Sequence, residues 1–149
     1  MTMIAVQREI DAPVETVFRA VTEIERFPDI QPDVLAIEFL TESRSGVGTR
    51  FRETRRQGKN EMITELEVTE FDPPQRARMV TDSHGTIWDT VFLVRPSGGK
   101  SELVIEMDAR PHTLLTKIMT PIMKGMFRKG MEEYIDLLRE HCEGVGSEH

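Results

Sequence analysis

The sequence predicts an α+β fold: a seven-stranded antiparallel sheet covered by one long C-terminal helix, with two short helices after the first strand. Three observations predict it. Between Val34 and Ala109, apolar and polar residues alternate in successive segments. Short turns rich in Gly and Pro separate these segments, so neighbouring strands pair antiparallel. From Met119 onward the spacing becomes helical and the inner face is rich in methionine. Met119, Met123 and Met126 are flanked by Ile122 and Phe127 and continued by Gly130, Tyr134 and Leu137.

Met3 to Ile10 reads as the first strand, with Ile4, Val6 and Ile10 marking one side. Asp11-Ala12-Pro13 stops it. Asp11 is a cap for the next segment, and Pro13 suits a helix's first turn. Val14, Val17, Phe18 and Val21 then carry a short helix to about Thr22. Glu23 to Phe27 is a second helical piece, expected to end before Pro28. Two helices this short plug one end of a sheet; they cannot cover it.

Val34 to Leu40 is the next strand, closed by Ser43-Arg44-Ser45-Gly46-Val47-Gly48. Thr49 to Arg56 follows and turns at Gly58-Lys59-Asn60. Glu61 to Phe71 alternates best: Met62, Thr64, Leu66 and Val68 share one face, opposite Glu61, Glu65 and Glu67. Arg76 to Ser83, Thr86 to Arg95 and Glu102 to Ala109 complete the set. Thr120-Pro121 reads as the start of the long helix, threonine as N-cap and proline at the first helical position, and the helix runs to about His141. Thr113 to Met119 forms a separate turn or a kinked lead-in.

The chain has 149 residues, 38% hydrophobic and 30% charged, with a net charge of -7. This suits one domain over residues 1–149, with residues 144–149 as a frayed tail. The acidity argues against general affinity for nucleic acid or anionic membrane. No apolar run suits a signal peptide or a membrane span, so no stable membrane insertion is expected. The lone Cys142 fits a reducing, cytoplasmic setting.

Several motifs, in order, resemble the START-related superfamily of helix-grip proteins, the birch-pollen-allergen-like fold. The carrying motif is Ile10-Asp11-Ala12-Pro13-Val14-Glu15-Thr16-Val17-Phe18, with Pro28 and Pro32 closing the short helices. Gly46-Val47-Gly48-Thr49-Arg50-Phe51, Val68-Thr69-Glu70-Phe71-Asp72-Pro73-Pro74 and the hairpin from Pro96 to Leu103 add to it. The nearest likeness is to the bacterial polyketide cyclase/dehydrase-like branch. The resemblance implies a sheet wrapped around the C-terminal helix, with a cavity between them whose mouth lies near the helix start. It does not imply one activity, because such proteins include lipid carriers, enzymes and regulators of partner proteins.

On this reading Met62, Leu66, Val68, Leu103, Ile105 and Met107 face the cavity. The strand from Thr86 is apolar on both faces. Trp88 and Phe92 are assigned inward, because Asp89 and Arg95 then point to water. The ligand-binding candidates are Met62, Leu66, Trp88, Phe92, Met107, Met119, Met123, Met126, Phe127 and Tyr134. A methionine-rich face repacks around ligands of different shape. Gly130, mid-stripe, either permits close helix–sheet contact or leaves room for a ligand. If Phe51 points inward, so do Glu53 and Arg55, which would then orient a polar ligand group. The rival reading is an exposed basic patch of Arg50, Arg52, Arg55, Arg56 and Lys59.

Catalytic signals are sparse. His112, just after the last strand, is the weak acid–base candidate; His84 sits at a hairpin tip, and His141 and His149 are terminal. No histidine pair has ligand spacing and Cys142 lacks partners, so neither metal nor cofactor is expected. A buried Tyr134 hydroxyl should find a partner, with a strand carboxylate preferred over a ligand. Three function classes follow: a binder or carrier of a hydrophobic lipid, quinone or polyketide-like molecule; a cyclase, aromatase or dehydratase; and a protein-partner module with a filled core.

Overall fold

The structure is a computed structural model and describes residues 2–147. Seven strands form one sheet: β1 (Thr2–Ile10), β2 (Val34–Phe39), β3 (Arg50–Gln57), β4 (Asn60–Asp72), β5 (Arg76–Ser83), β6 (Thr86–Ser97) and β7 (Lys100–Pro111). Their spatial order is β1-β7-β6-β5-β4-β3-β2, and every pairing is antiparallel. The helices are α1 (Val14–Thr22), α2 (Phe27–Ile30), α3 (Leu114–Ile122) and α4 (Lys124–Ser147). The seven-strand expectation and the long terminal helix both hold.

The topology explains the short helices. β1 and β2 are consecutive in the chain but stand on opposite edges of the sheet. The connection must cross from one edge to the other, and α1, a 3-10 turn and α2 make that crossing. Phe18 of α1 meets Phe71 of β4, with ring centroids 5.5 Å apart. Phe27 of α2 meets Phe51 of β3 at 6.1 Å. The Ser101 hydroxyl donates to the Ala12 carbonyl at 2.6 Å, tying the start of α1 to β7. These contacts close one end of the sheet.

Two local features differ from expectation. Asp11 does not cap α1: Pro13 occupies the N-cap position, and the Asp11 backbone N–H donates to Glu143 instead. The second helical piece does not stop at Pro28, which sits in the first turn of α2. A first-turn proline needs no N–H partner, so it starts this turn instead of ending the preceding one.

The long helix also starts elsewhere. Thr113, not Thr120, is the N-cap, and its hydroxyl and that of Thr116 form a reciprocal capping box. Pro121 lies inside α3. The helical path then breaks at Met123 and resumes as α4. Proline removes one helical N–H and crowds the carbonyl a turn earlier, which favours a break close by. The α4 backbone stays helical to Ser147. Residues 148 and 149, the end of the expected tail and the site of His149, lie outside the described residues.

The buried stripe runs in phase through the junction, where Thr120, Met123 and Phe127 lead into it at helical spacing. Met131, Ile135, Leu138 and Cys142 are buried, with Phe127, Tyr134 and Leu137 packed beside them. Met119, Met126 and Gly130 are exposed, contrary to the expected inner face. A Cβ on Gly130 would meet nothing within 4 Å, so neither role proposed for it applies. Met119, Met126 and Gly130 each fall one position before a residue of that stripe, on its outer side. From Ile118 to Phe127 apolar residues occur all round the helix, and only docking against β1 selects the inner side.

Candidate functional site

The Trp88 ring stands edge-on to Phe127 of α4, with centroids 4.8 Å apart. This contact identifies the inner face of β6, as the choice of the Trp88 and Phe92 set anticipated. Residues directly opposite in paired strands share a face. Trp88 pairs with Thr81 and Ala109, Thr90 with Met79 and Met107, and Phe92 with Ala77 and Ile105. On the far side of the sheet, Phe51 pairs with Leu66 and Phe39, Glu53 with Thr64 and Ile37, and Arg55 with Met62. A register shift between Val68 and Glu70 returns Phe71 to the inner face opposite Ala77. Such bulges bend a strand and help curve the sheet around the helix.

Exposure changes along this inner face. Val94 and Phe92 on β6 are buried, whereas Thr90 and Trp88 keep accessible surface. On β4 Val68 is buried, whereas Leu66, Thr64 and Met62 are not. On β3 Phe51 is buried, and Glu53 and Arg55 are partly accessible. On β7 Leu103 and Ile105 are buried and Met107 is partly open, although Ala109, near the docking of α3, is buried again. The end against α1 is thus the more buried one, although Phe71 stays partly accessible. Toward the β3–β4 turn, the β5–β6 turn and the start of α4, Met62, Thr64, Leu66, Trp88, Thr90 and Met107 keep accessible surface beside buried Ile4, Met79 and Thr81. Phe92 lies at the boundary.

Glu53 and Arg55 face inward, so the basic-patch reading fails for Arg55; Arg50, Arg56 and Lys59 are exposed, but Arg50 pairs with Glu65 and partly buried Arg52 with Glu38 and Glu65. Arg55 Nε donates to Glu53 Oε1 at 3.1 Å, and a second guanidinium nitrogen donates to Gln31 Oε1 at 2.9 Å. The Glu53 side chain is only 12% exposed. Its charge reaches Tyr134 on α4. Burial first, and then Glu53, push the Tyr134 phenol above its ordinary range, against the opposing pull of Arg55. Among the described residues the Tyr134 hydroxyl makes no hydrogen bond, so the expected strand carboxylate acts on it through charge alone. Glu53, Arg55, Gln31 and Tyr134 thus form one polar group inside an otherwise apolar grip. Gln31 was missed: it has no periodic signal and reaches the site through the β1-to-β2 crossover.

His112 stands on the open end, exposed, with Nε2 2.8 Å from Asp82 Oδ1. His84 is at the β5–β6 turn with φ 53° and contacts the Ser83 hydroxyl. Asp89 does lie on the outer face but is buried there. The hydrogen-bonded Arg78 guanidinium, with Arg110 adding charge, holds its carboxyl below the usual carboxylate range. Among the described residues no group of three His, Cys, Asp or Glu is placed to hold a metal.

The sheet also forks. The β4–β5 ladder runs only from Glu67↔Val80 to Asp72↔Arg76, so the stretch 60–66 leaves β5. The Thr81 hydroxyl donates to the Glu65 carbonyl across the fork. A cleft of ≈ 340 Å³ opens there, bordered by Leu66, Thr69, Val80, Thr81 and charged neighbours. Of the expected ligand contacts, only Leu66 borders it.

No curated protein matches the sequence. Among solved structures, a START superfamily protein from Mycobacterium smegmatis superposes with a TM-score of 0.80 at 17% identity, covering 96% of this chain and 98% of that one. Norcoclaurine synthase from Thalictrum flavum gives 0.74 at 16% identity, with coverages of 99% and 87%. The di-domain ARO/CYC StfQ from the steffimycin biosynthetic pathway gives 0.81 at 11% identity, with coverages of 97% and 51%. At these identities the likeness shows the shared helix-grip fold. The family model described as polyketide cyclase/dehydrase and lipid transport matches residues 1–143, and the chain belongs to that family.

Proposed function

We propose that this protein binds a hydrophobic small molecule of the lipid, quinone or polyketide-like class between the inner sheet face and α4. One observation carries the reading. On single strand faces, most side chains near α1 are buried, Phe71 only partly, while Met62, Leu66, Trp88 and Met107 toward the open end keep accessible surface. Covering apolar surface stabilises by roughly 25 cal/mol per Å², so this half of the grip is where an apolar molecule gains most. Met123, Phe127 and Tyr134 face it from the helices, and Phe92 forms its floor. Met119 and Met126 stand at the mouth, outside the grip. The Glu53–Arg55–Gln31 group and the free Tyr134 hydroxyl orient a ligand's polar end. A core filled by the chain's own side chains would leave these inner residues buried. The family description, which joins cyclases and dehydrases with lipid transport, supports a ligand of this class.

Trp88 is the only tryptophan and lies in the proposed site. Titration with oleic acid and with an isoprenoid quinone should change its emission saturably for at least one of them. Native mass spectrometry of the purified protein should show a lipid-sized adduct. No saturable change and no adduct would overturn the reading.

A specific observation favours a second reading, a cyclase, aromatase or dehydratase. The Glu53 carboxylate and the Tyr134 phenol, whose charges interact, put a base and a hydrogen-bond donor in the same grip. His112, exposed and paired with Asp82, is less well placed for this. Conversion of a bound polyketide analogue that Glu53→Gln abolishes, with affinity retained, would establish the enzyme over the carrier.

A further inference from the structure

α3 is amphipathic the wrong way round for a monomer. Its inward side chains are small and polar: Thr120 is 4% exposed, and the Thr116 hydroxyl donates to the Gly85 carbonyl at 2.8 Å. Its outward face carries Leu114, Leu115, Ile118 and Ile122, exposed by 78%, 69%, 56% and 71%. Met126, in the first turn of α4, extends this face. Together they expose on the order of several hundred Å² of apolar surface, the scale of an interaction site. Burial within the chain explains none of it.

The charge around this face is equally one-sided. From Ala109 to Met131 the chain has no Asp or Glu, although the protein as a whole carries -7. Lys117, Lys124, Arg128 and Lys129 are all exposed in this segment. Among the described residues the three lysines make no ion pair, and Arg128 donates only to the Ala5 carbonyl. Outward apolar side chains bordered by unpaired cations suit the boundary between anionic headgroups and acyl chains. A second copy is a poor occupant, because a two-fold contact would set these cations against each other.

We infer that the outward face of α3, with Met126, docks the protein reversibly on an anionic lipid surface. Nine residues make a helix of about 13 Å, far short of a membrane's hydrocarbon thickness, so α3 lies in the interface and does not span. α3 also sits at the open end of the grip, so docking would turn that end toward the lipid. The docking rests on α3 and the first turns of α4 and stands whether or not the grip carries a ligand.

The test is co-sedimentation of the full chain with vesicles of phosphatidylcholine containing about one third phosphatidylserine, and with phosphatidylcholine alone. Binding should need phosphatidylserine and weaken with salt. The variant Ile118→Ser/Ile122→Ser should lose about tenfold or more in partitioning, and Lys117→Gln/Lys124→Gln about fivefold per lysine at low salt. Both pairs are exposed, so melting curves should be unchanged. Absence of binding to phosphatidylserine vesicles, or wild-type binding by both variants, would overturn the inference. So would a wild-type dimer that Ile118→Ser/Ile122→Ser dissociates, which would make the face a self-interface. The Trp88 titration with soluble ligand should be the same in both variants. Its failure in a wild type that still binds vesicles would remove the ligand reading and leave docking intact.

Discussion

Leu103 and Leu66 test the two halves of the grip with the same chemistry. Both are inner-face leucines; Leu103 is 0% exposed beneath α1, whereas Leu66 is partly accessible at the open end. Truncation to alanine removes three carbons from each. At about 0.8 kcal/mol per buried carbon, Leu103→Ala loses roughly 2.4 kcal/mol of transfer free energy. The void left in a closed region raises the cost to about 4 kcal/mol. At Leu66 part of the side chain already meets accessible space and the void opens into it, so the loss should be about 1 kcal/mol. Urea unfolding followed by circular dichroism measures both, and unchanged m-values would show that the unfolded state is not the cause. In the folded state, Leu66→Ala should shift preference toward bulkier apolar ligands, and Leu103→Ala should not. Equal destabilisation by the two variants would refute the division into packed and open halves, and with it the main support for ligand binding.

Arg55→Ala should cost about 1–3 kcal/mol, because Glu53 and Gln31 lose their shared partner while largely enclosed; it should also weaken ligands with a polar end more than wholly apolar ones, as read by the Trp88 titration. Burial, with a smaller contribution from Glu143, pushes the Cys142 thiol up to about 11. The folded protein therefore keeps a proton that the unfolded chain releases near its ordinary value of 9. Stability from this group is complete below pH 9 and falls as pH rises toward 11, by about 2 kcal/mol; Cys142→Ser should flatten that slope, and a thiol reagent at pH 8 should label only unfolded chains. Gly85→Ala places a Cβ 2.9 Å from Thr113 Cγ2 and Oγ1 at a φ of +87°, so it should cost about 1–3 kcal/mol and raise amide exchange in α3 before the rest of the chain.

The sequence by itself determined the strands and, for most of them, their faces. A strand's side chains alternate strictly, so one correctly assigned residue orients its whole segment; Met62, Leu66, Leu103 and Met107 were legible for this reason. Turn chemistry at Gly58, Gly85 and Gly98 then specified antiparallel neighbours. Trp88 was legible through its neighbours, because Asp89 and Arg95 had to lie on the other side.

Only the tertiary structure decided the rest. Apolar residues surround the helix between Ile118 and Phe127, so no periodicity could select its inner side. Docking on β1 chose Met131, Ile135 and Leu138 over Met126 and Gly130. The break at Met123 separated α3, whose packing rests on Thr113, Thr116 and Gly85, partners about thirty residues apart in sequence. Which inner residues are packed and which stay open depends on what crosses opposite them. That is set by the path of α1 and α2 between two sheet edges, and the same path brings Gln31 to Arg55. Alternation and turn chemistry act over a few residues and can be read along the chain. Helix phase, closure of the grip and the polar group inside it depend on surfaces that meet only after folding.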